Sequence, residues 1–246
     1  MTSALFLADF DNPAAGAQIA LTGDELHHAL KVRRIAAGEE ILIANGRGTA
    51  VRGPFDGSQG IAVVEVLQSP EQRVNYTCVQ ALPKGERAEL AAAMLTEAGI
   101  AQIVPWQAER SVVVWRGERA EKGLRRWRAA AREAAKQSRR FRIPDVAELA
   151  DTEAVCGRIA AAGLALALHE DAEIPLPEAV AGFAPVPGET APEVLFIVGP
   201  EGGIAPAELE AFTAAGAVPV SLGPGVLRTS TAGVFALAQL QAVLGV

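Results

Sequence analysis

Cysteine is almost absent from this sequence, with only Cys78 and Cys156 among 246 residues. The two lie far apart and form no CxxC pair, which excludes a thiolate metal pair and a disulfide framework. We interpret both as small apolar residues in a reducing compartment, and we predict no metal site.

Long apolar runs are also absent. The longest, Ile159 to Leu168, has ten residues, whereas a membrane-spanning helix needs about 20, so we interpret this run as one buried element. The first residues carry Asp9 and Asp11 where a signal peptide would stay apolar. With 50% hydrophobic and 21% charged residues, the sequence predicts a folded, cytoplasmic protein.

An excess of positive charge is missing as well, because 22 basic residues face 29 acidic ones and the formal charge is −7. By itself this balance argues against a nucleic-acid partner. However, residues 116–142 hold 11 of the basic residues and only 3 acidic ones. Since a polyanion responds to the local field, this segment is a candidate surface for one.

The basic segment has the alanine-rich pattern of a helix that starts near Lys122. Leu124 and Trp127 belong to the predicted core-facing stripe, with Trp127 as a core anchor. Four cations fall on one i, i+4 line: Arg128, Arg132, Lys136 and Arg140. Like charges at that spacing repel by roughly 0.2–0.5 kcal/mol per pair, and Glu133 is the only acid in the stretch that could relieve them. We interpret the line as an unrelieved ridge for phosphates; the alternative is a solvated face.

Two regions with different patterns follow each other along the chain. Residues 1–72 show short strand-like runs and turns, with a hairpin signal at Asn45-Gly46 between Glu40–Ala44 and Thr49–Arg52, which predicts a small β-barrel. Residues 73–246 alternate strands with helices, which predicts a mostly parallel sheet covered by helices. The polar stretch Gln68–Arg73 is the predicted linker, and IAVVEVL is predicted as one strand.

Two glycine-proline loops follow predicted strands of the second region. They are GPEGGI from Gly199 and LGPGVLRTSTA from Leu222, and each leads into a predicted helix. In open α/β sheets, ligands lie at the carboxyl ends of strands, where glycine admits a ligand and proline stiffens the turn. Ordinary turns would explain one such loop, but two favour a ligand site. Because neither loop is GxGxxG or GxxxxGK[ST], the sequence supports no dinucleotide or nucleoside triphosphate.

Taken together, IVGPEGG and SLGPGVLRTSTA resemble the signature of SPOUT-class RNA methyltransferases, and within that class the RsmE family. Further similar stretches are LPKGER, TEAGI, AERSVV, RRWRAAAREAAKQSRR and LHE. The segment from HHALKVRR to NGRG resembles the family's N-terminal domain. The resemblance covers nearly the whole chain, with departures at Met94 and Ser230, where the family has a lysine and an acid.

The resemblance implies an α/β protein of two domains. These are a PUA-like, RNA-binding β-barrel over residues 1–72 and a SPOUT domain with a trefoil knot and a mostly parallel sheet over residues 73–246. It also implies S-adenosylmethionine as donor, methylation of a uridine N3 atom in 16S ribosomal RNA of the small subunit, and a homodimer through the C-terminal domain.

Site residues are expected on the matching positions. The expected cofactor cradle comprises Leu168, Gly199, Gly202, Gly203, Leu222, Gly223 and Leu227. Glu201 is the candidate proton acceptor or ligand of the donor's ribose or amino group, with a helix N-terminal acid as the alternative. Arg228 is the candidate stabiliser of a uracil anion, with an ion pair across the dimer as the alternative.

Ten cations are candidate RNA contacts, and each could equally be a solvated surface residue. They are Lys31, Arg33, Arg34, Lys84, Arg87, Arg128, Arg132, Lys136, Arg139 and Arg140. Two other functions fit the same sequence: ribose 2′-O-methylation of RNA, and a non-catalytic RNA-binding assembly factor that would not bind S-adenosylmethionine.

Overall fold

The computed structural model describes residues 3–85, 87–185 and 190–245. The chain divides into two compact units, of which one comprises Met1–Glu71 and Arg132–Ile143, and the other Gln72–Ala131 and Pro144–Val246. The division falls inside one helix, α3 (Glu118–Gln137). Residues 132–143, which the sequence analysis assigned to the second domain, therefore group with the first unit.

Short strands in two small sheets form the first unit. The four-stranded sheet has the order β1-β3-β4-β6 and the two-stranded sheet pairs β2 with β5. Their bounds are β1 (Leu5–Leu7), β2 (Gln18–Ala20), β3 (Glu40–Ala44), β4 (Thr49–Pro54), β5 (Gly60–Ala62) and β6 (Glu65–Gln68). Helix α1 (Gly23–His27) continues as a π-helical turn, His28–Val32.

The hairpin predicted around Asn45-Gly46 is confirmed, because β3 and β4 pair antiparallel and the Asn45 Oδ1 atom accepts the N–H groups of Arg47 and Thr49. The prediction of one strand over IAVVEVL is wrong. The chain leaves β5 after Ala62 and starts β6 at Glu65, so the segment contributes to two different sheets.

A carboxylate turn closes the connection between β4 and β5. The Asp56 Oδ1 atom accepts the backbone N–H groups of Ser58 and Gln59 at 2.7 Å and that of Gly60 at 3.2 Å. These bonds, the one from Gln59 above all, lower the pKa of Asp56 to about 2 because they favour its charged form.

The second unit is built on a six-stranded sheet that is parallel throughout, in the order β12-β10-β11-β7-β8-β9. The strands are β7 (Asn75–Ala81), β8 (Gln102–Trp106), β9 (Asp145–Val146), β10 (Leu164–Leu168), β11 (Glu193–Val198) and β12 (Val218–Val220). This confirms the predicted α/β class with a mostly parallel sheet.

Helices cover both faces of this sheet. They are α2 (Arg87–Ala98), α3, α4 (Thr152–Ala161), α5 (Leu176–Val180), α6 (Pro206–Ala214) and α7 (Thr229–Leu244). Leu95, Trp127 and Leu237 pack into the core on one face, whereas Val155 and Phe212 pack on the other. Trp127 is 1% exposed, as expected for a core anchor.

The apolar run Ile159 to Leu168 is not one buried element, contrary to the sequence interpretation. Helix α4 ends at Ala161, and strand β10 begins at Leu164. Cys78 is fully buried in β7, and burial raises the pKa of its thiol, which fits its interpretation as a small apolar residue. Among the described residues, no helix is both long and apolar enough to span a membrane.

Replacing Asp56 with alanine should destabilise the first unit at neutral pH but make less difference in acid. The pKa of the folded carboxyl group lies at about 2, against an ordinary value of 3.8. Its stabilisation is therefore present above the unfolded value and is lost as the pH falls through about 2. Urea titrations of the wild type and the alanine variant, from neutral pH down to about pH 2, measure the effect. A difference between their urea midpoints that does not become smaller as the pH falls would contradict the prediction.

Candidate active site

Three neighbouring strands of the parallel sheet end at one edge, where a cleft opens. Strand β10 ends at Leu168, β11 at Val198 and β12 at Val220, and the loops that follow line a cavity of about 720 Å³. Protein pockets for small ligands typically measure about 300–1,000 Å³. The cleft therefore lies where open α/β sheets bind ligands and has the size to hold one.

The structure brings the predicted cofactor and catalytic residues together in this cleft. All nine line it: Leu168, Gly199, Glu201, Gly202, Gly203, Leu222, Gly223, Leu227 and Arg228. Arg87, predicted as an RNA contact, lines it too. The two loops, distant in sequence, thus form the walls of one site.

A tight turn shapes the first loop. The Gly203 N–H donates to the Pro200 carbonyl at 2.9 Å, and Gly203 has a φ of +72°, a conformation that favours glycine. Gly199 lies against Ile204, because a Cβ atom on Gly199 would sit 2.9 Å from the Ile204 Cγ1 atom. A side chain at either position would distort this wall of the cleft.

The second loop is held at its start by hydrogen bonds to other elements. The Ser221 N–H donates to the Ile174 carbonyl at 2.9 Å, and the Gln239 Nε2 atom of α7 donates to the Leu222 carbonyl at 3.0 Å. Gly223 has a φ of +144°, and no atom lies within 4 Å of a Cβ built on it. The loop therefore leaves open space beside its backbone.

A buried side-chain bridge joins the two loops. The Thr229 hydroxyl, in the first turn of α7, donates to the Gly199 carbonyl at 2.7 Å and accepts the Gln80 Nε2 N–H at 2.9 Å. Gln80 is fully buried and Thr229 is 5% exposed. This bridge fixes the first loop, the end of the second loop and strand β7 relative to one another.

Glu201 is held by contacts that the sequence did not predict. Its Oε1 atom accepts the backbone N–H of Lys84 at 3.1 Å and lies 3.6 Å from the Arg87 guanidinium. The alternative of a helix N-terminal acid is wrong, since α6 begins only at Pro206. The carboxylate is therefore positioned over the cleft by the segment that leads into α2.

Sequence reasoning missed two residues that complete the site. Arg110 donates to the Gly202 carbonyl at 3.1 Å and lines the cleft. Buried Glu208 accepts the N–H groups of Glu109 at 2.8 Å and Ala205 at 3.2 Å, which holds the segment carrying Arg110 beside α6. The only available signal was local, because Glu208 lies three residues after Ala205, the residue that caps α6.

Arg228 is exposed and precedes α7 directly. Within the described part of the chain it makes no ion pair, whereas Arg87 is close to Glu201 and Arg110 is bonded to Gly202. Of the three arginines that line the cleft, Arg228 is therefore the one whose charge no described group engages.

Similarity to known proteins identifies the family to which the chain belongs. The model of an RNA methyltransferase domain matches residues 70–241, and that of an RNA methyltransferase PUA domain matches residues 21–53. The ribosomal RNA small subunit methyltransferase E of Mycobacterium bovis is 44% identical over 245 residues, covering 96% of this chain and 90% of its own. The chain belongs to the RsmE family. The enzyme of the same name from Bacillus subtilis is 29% identical over 229 residues, 89% of this chain and 88% of its own.

Solved structures share the RsmE-family fold. A methyltransferase from Legionella pneumophila, in complex with S-adenosylmethionine, superposes with a TM-score of 0.82 at 27% identity, covering 98% of both chains. The ribosomal RNA small subunit methyltransferase E of Neisseria gonorrhoeae superposes with a TM-score of 0.85 at 24% identity, covering 99% of this chain and 98% of its own. The latter likeness concerns the fold alone.

The basic line on α3 is not an unrelieved ridge, so that interpretation of this RsmE-family helix is wrong. Arg132 and Lys136 both bind the buried Glu25 carboxylate at 3.0 Å, and Arg128 binds Glu148 at 2.8 Å. The Lys136 side chain is only 6% exposed. Arg140 is also engaged. Acids from distant parts of the sequence thus relieve the repulsion that the helix alone would suffer.

The other predicted RNA contacts lie at the surface. Lys31, Arg33 and Arg34 are exposed at the end of the π-helical turn, and Arg139 is exposed just after α3. Lys84 and Arg87 lie beside Glu201 at the cleft. Contact of these cations with RNA stays a prediction.

Replacing Glu25 with alanine should cost about 3–5 kcal/mol of unfolding free energy, because it leaves the buried Lys136 ammonium without its main partner. Glu148→Ala is the matched control, since it removes the partner of an arginine that is half exposed, and it should cost about 1 kcal/mol or less. Urea titrations measure both changes. Equal losses would contradict the structural role of Glu25.

Replacing Thr229 with valine should lower the unfolding free energy by about 1–3 kcal/mol, because the Gly199 carbonyl and the Gln80 amide lose a buried partner. Thr229→Ser keeps the hydroxyl and should therefore retain most of the unfolding free energy that Thr229→Val loses. The two variants differ only if the hydroxyl matters, so indistinguishable urea midpoints would refute the bridge.

Proposed function

We propose that the protein methylates the N3 atom of a uridine in 16S ribosomal RNA, with S-adenosylmethionine as the donor, in the cytoplasm. One observation carries the proposal: in a member of the RsmE family, both glycine-proline loops converge on a single cleft at the carboxyl ends of three parallel strands. The small ribosomal subunit is the proposed substrate.

The cleft fits S-adenosylmethionine. Gly203 and Gly223 leave space where a side chain would otherwise stand, so the backbone of both loops is accessible to a ligand. Leu168, Leu222 and Leu227 supply an apolar wall for an adenosyl group. Three acids also line the cleft, Glu170, Asp171 and Glu201, and they suit a ligand that carries ammonium and sulfonium charges. When bound, S-adenosylmethionine supplies an electrophilic methyl group.

The chain must supply the remaining chemistry. Uracil N3 carries a proton and becomes nucleophilic only as that proton leaves, so the site must hold the ring in position and stabilise the resulting anion. Arg228 is suited to the second task, since its charge is exposed at the cleft and no described group engages it. Glu201, fixed by Lys84 and Arg87, is the proposed acceptor of the N3 proton or the ligand of the donor's ribose or amino group.

A homodimer through the C-terminal domain is part of the proposal. Leu90 on α2 is 50% exposed and Phe235 on α7 is 43% exposed, and these two helices pack against each other within the unit. Large apolar side chains left outside adjoining helices are typical of a surface that a partner covers.

Methyl transfer from labelled S-adenosylmethionine to small subunits isolated from a strain without this gene tests the function. We expect label in N3-methyluridine after digestion of the 16S ribosomal RNA. Label in a 2′-O-methylated nucleoside would favour ribose methylation. Absence of transfer together with no binding of S-adenosylmethionine in calorimetry would favour a non-catalytic assembly factor.

Replacing Arg228 with glutamine should lower kcat by about 10²–10³, the usual loss for one group that stabilises an anion in the transition state. Because the arginine lowers the pKa of the uracil imide, its removal should make the remaining activity rise more steeply with pH. Arg228→Lys should keep part of the activity. Calorimetry should find the affinity for S-adenosylmethionine unchanged, and a flat pH response of the glutamine variant would refute the assignment.

A further inference from the structure

A second groove lies in the same unit, beside the cleft. It measures about 530 Å³ and is lined mainly by apolar groups from the loops after β7 and β8 and from α2 and α3. Val112 and Val114, which line it, are 69% and 45% exposed. Apolar side chains are thus held in solvent around a concave surface, where a ligand or partner would cover them.

A tryptophan pair gives the groove an aromatic wall. The rings of Trp115 and Trp127 meet edge to face, with centroids 5.6 Å apart. Trp115 lies directly on Gly123, in the interior of α3, where a Cβ atom would overlap its six-membered ring. A glycine inside a helix is destabilising, and here it makes the seat for the Trp115 ring.

Two buried atoms on this wall lack hydrogen-bond partners, and they are of opposite kinds. The Trp127 Nε1 atom is a donor and the Glu89 Oε2 atom is an acceptor, and neither has a partner among the residues that the structure describes. Unpaired buried polar atoms are rare in native proteins. Each of these atoms is enclosed by the protein, so polar groups lie beneath the mainly apolar surface of the groove.

The rim of the groove is positively charged. Arg119 and Lys122 are exposed and form no ion pair with any described residue. Arg126 is paired with Glu89 at 2.6 Å, and Glu89 is the only acid among the described residues that line the groove. The free positive charge favours an anionic ligand, and the apolar wall favours one with a flat apolar ring.

The groove adjoins the cleft through two chain segments. Arg87 lines the cleft and Ala88 lines the groove; Arg110 lines the cleft and Val112 lines the groove. Two residues span at most about 7 Å of chain. A nucleotide in the groove can therefore belong to the same RNA strand as a base in the cleft.

We propose that this groove binds an unstacked nucleobase of the substrate RNA, next in the strand to the nucleotide in the cleft. The base lies against Trp115 and the two exposed valines, and its phosphate is bound by Arg119 and Lys122. Aromatic walls with basic rims are how proteins hold single-stranded RNA. The inference rests on the proposed RNA methyltransferase function and extends it to a second nucleotide site.

Val112→Asp is the test, because it places a negative charge in the groove without removing a core side chain. Val243→Asp is the matched control, at an exposed valine of the same unit, 42%, that lines neither cavity. Filter binding to purified 16S ribosomal RNA should show about tenfold weaker affinity for Val112→Asp, the loss expected of one base–aromatic contact. The control should stay close to wild type, and calorimetry should find an unchanged affinity for S-adenosylmethionine in both.

Two further variants keep the proposal falsifiable. Lys122→Ala should reduce the slope of log affinity against log salt by about 0.7, as for one phosphate contact with a single strand. Gly123→Ala, which displaces the Trp115 ring, should weaken RNA binding at temperatures where a urea titration shows that the variant is still folded. Equal RNA affinities for Val112→Asp and Val243→Asp would overturn the proposal. A change of oligomeric state in Val112→Asp would also overturn it, because it would assign the groove to a second copy of the chain.

These outcomes separate the groove from the catalytic function. If the wild-type protein transfers no methyl group but Val112→Asp still loses RNA affinity relative to its control, the groove stands and the proposed function falls. If methyl transfer is normal and the two aspartate variants bind RNA equally, the function stands and the groove falls.

Discussion

The Thr229 hydroxyl forms the contact on which the site depends. Each glycine-proline loop is rich in glycine, so few of its own side chains are available to hold it in place. The bond from Thr229 to the Gly199 carbonyl ties the first loop to the start of α7, and the bond from Gln80 ties both to the central sheet. The loops can stay accessible to a ligand because their rigidity comes from buried groups behind them.

This arrangement explains which parts of the site could be predicted from the sequence. Glycine, proline and strand ends are local signals, and in a parallel sheet all carboxyl ends meet at one edge, so the loop residues could be placed together in advance. The bridge could not be predicted, because Gln80 and Thr229 are 149 positions apart. Neither residue has a local pattern that marks it as a partner of the other.

The charge partners of the basic helix α3 could not be predicted from the sequence either. Its i, i+4 line was visible in the sequence, but Glu25 lies 107 positions before Arg132, and helix periodicity carries no information about such a partner. Burial also changes the role of Lys136, because its ammonium group is enclosed with the carboxylates of Glu25 and Glu133 and is not exposed to solvent. The division of the chain inside α3 was hidden for the same reason, since the contacts that define it are long-range.

The order of strands in the parallel sheet accounts for the adjacency of cleft and groove. Strands β12, β10 and β11 end at the cleft, and β7 and β8, next in the sheet, lead into the segments that line the groove. Neighbouring strands lie about 4.8 Å apart. Cavities that are lined by the loops after neighbouring strands therefore lie next to each other at this end of the sheet. Glycines shape both cavities. Gly123 lowers the stability of helix α3 but makes room for Trp115 in the groove, and Gly199 and Gly203 keep side chains out of the cleft.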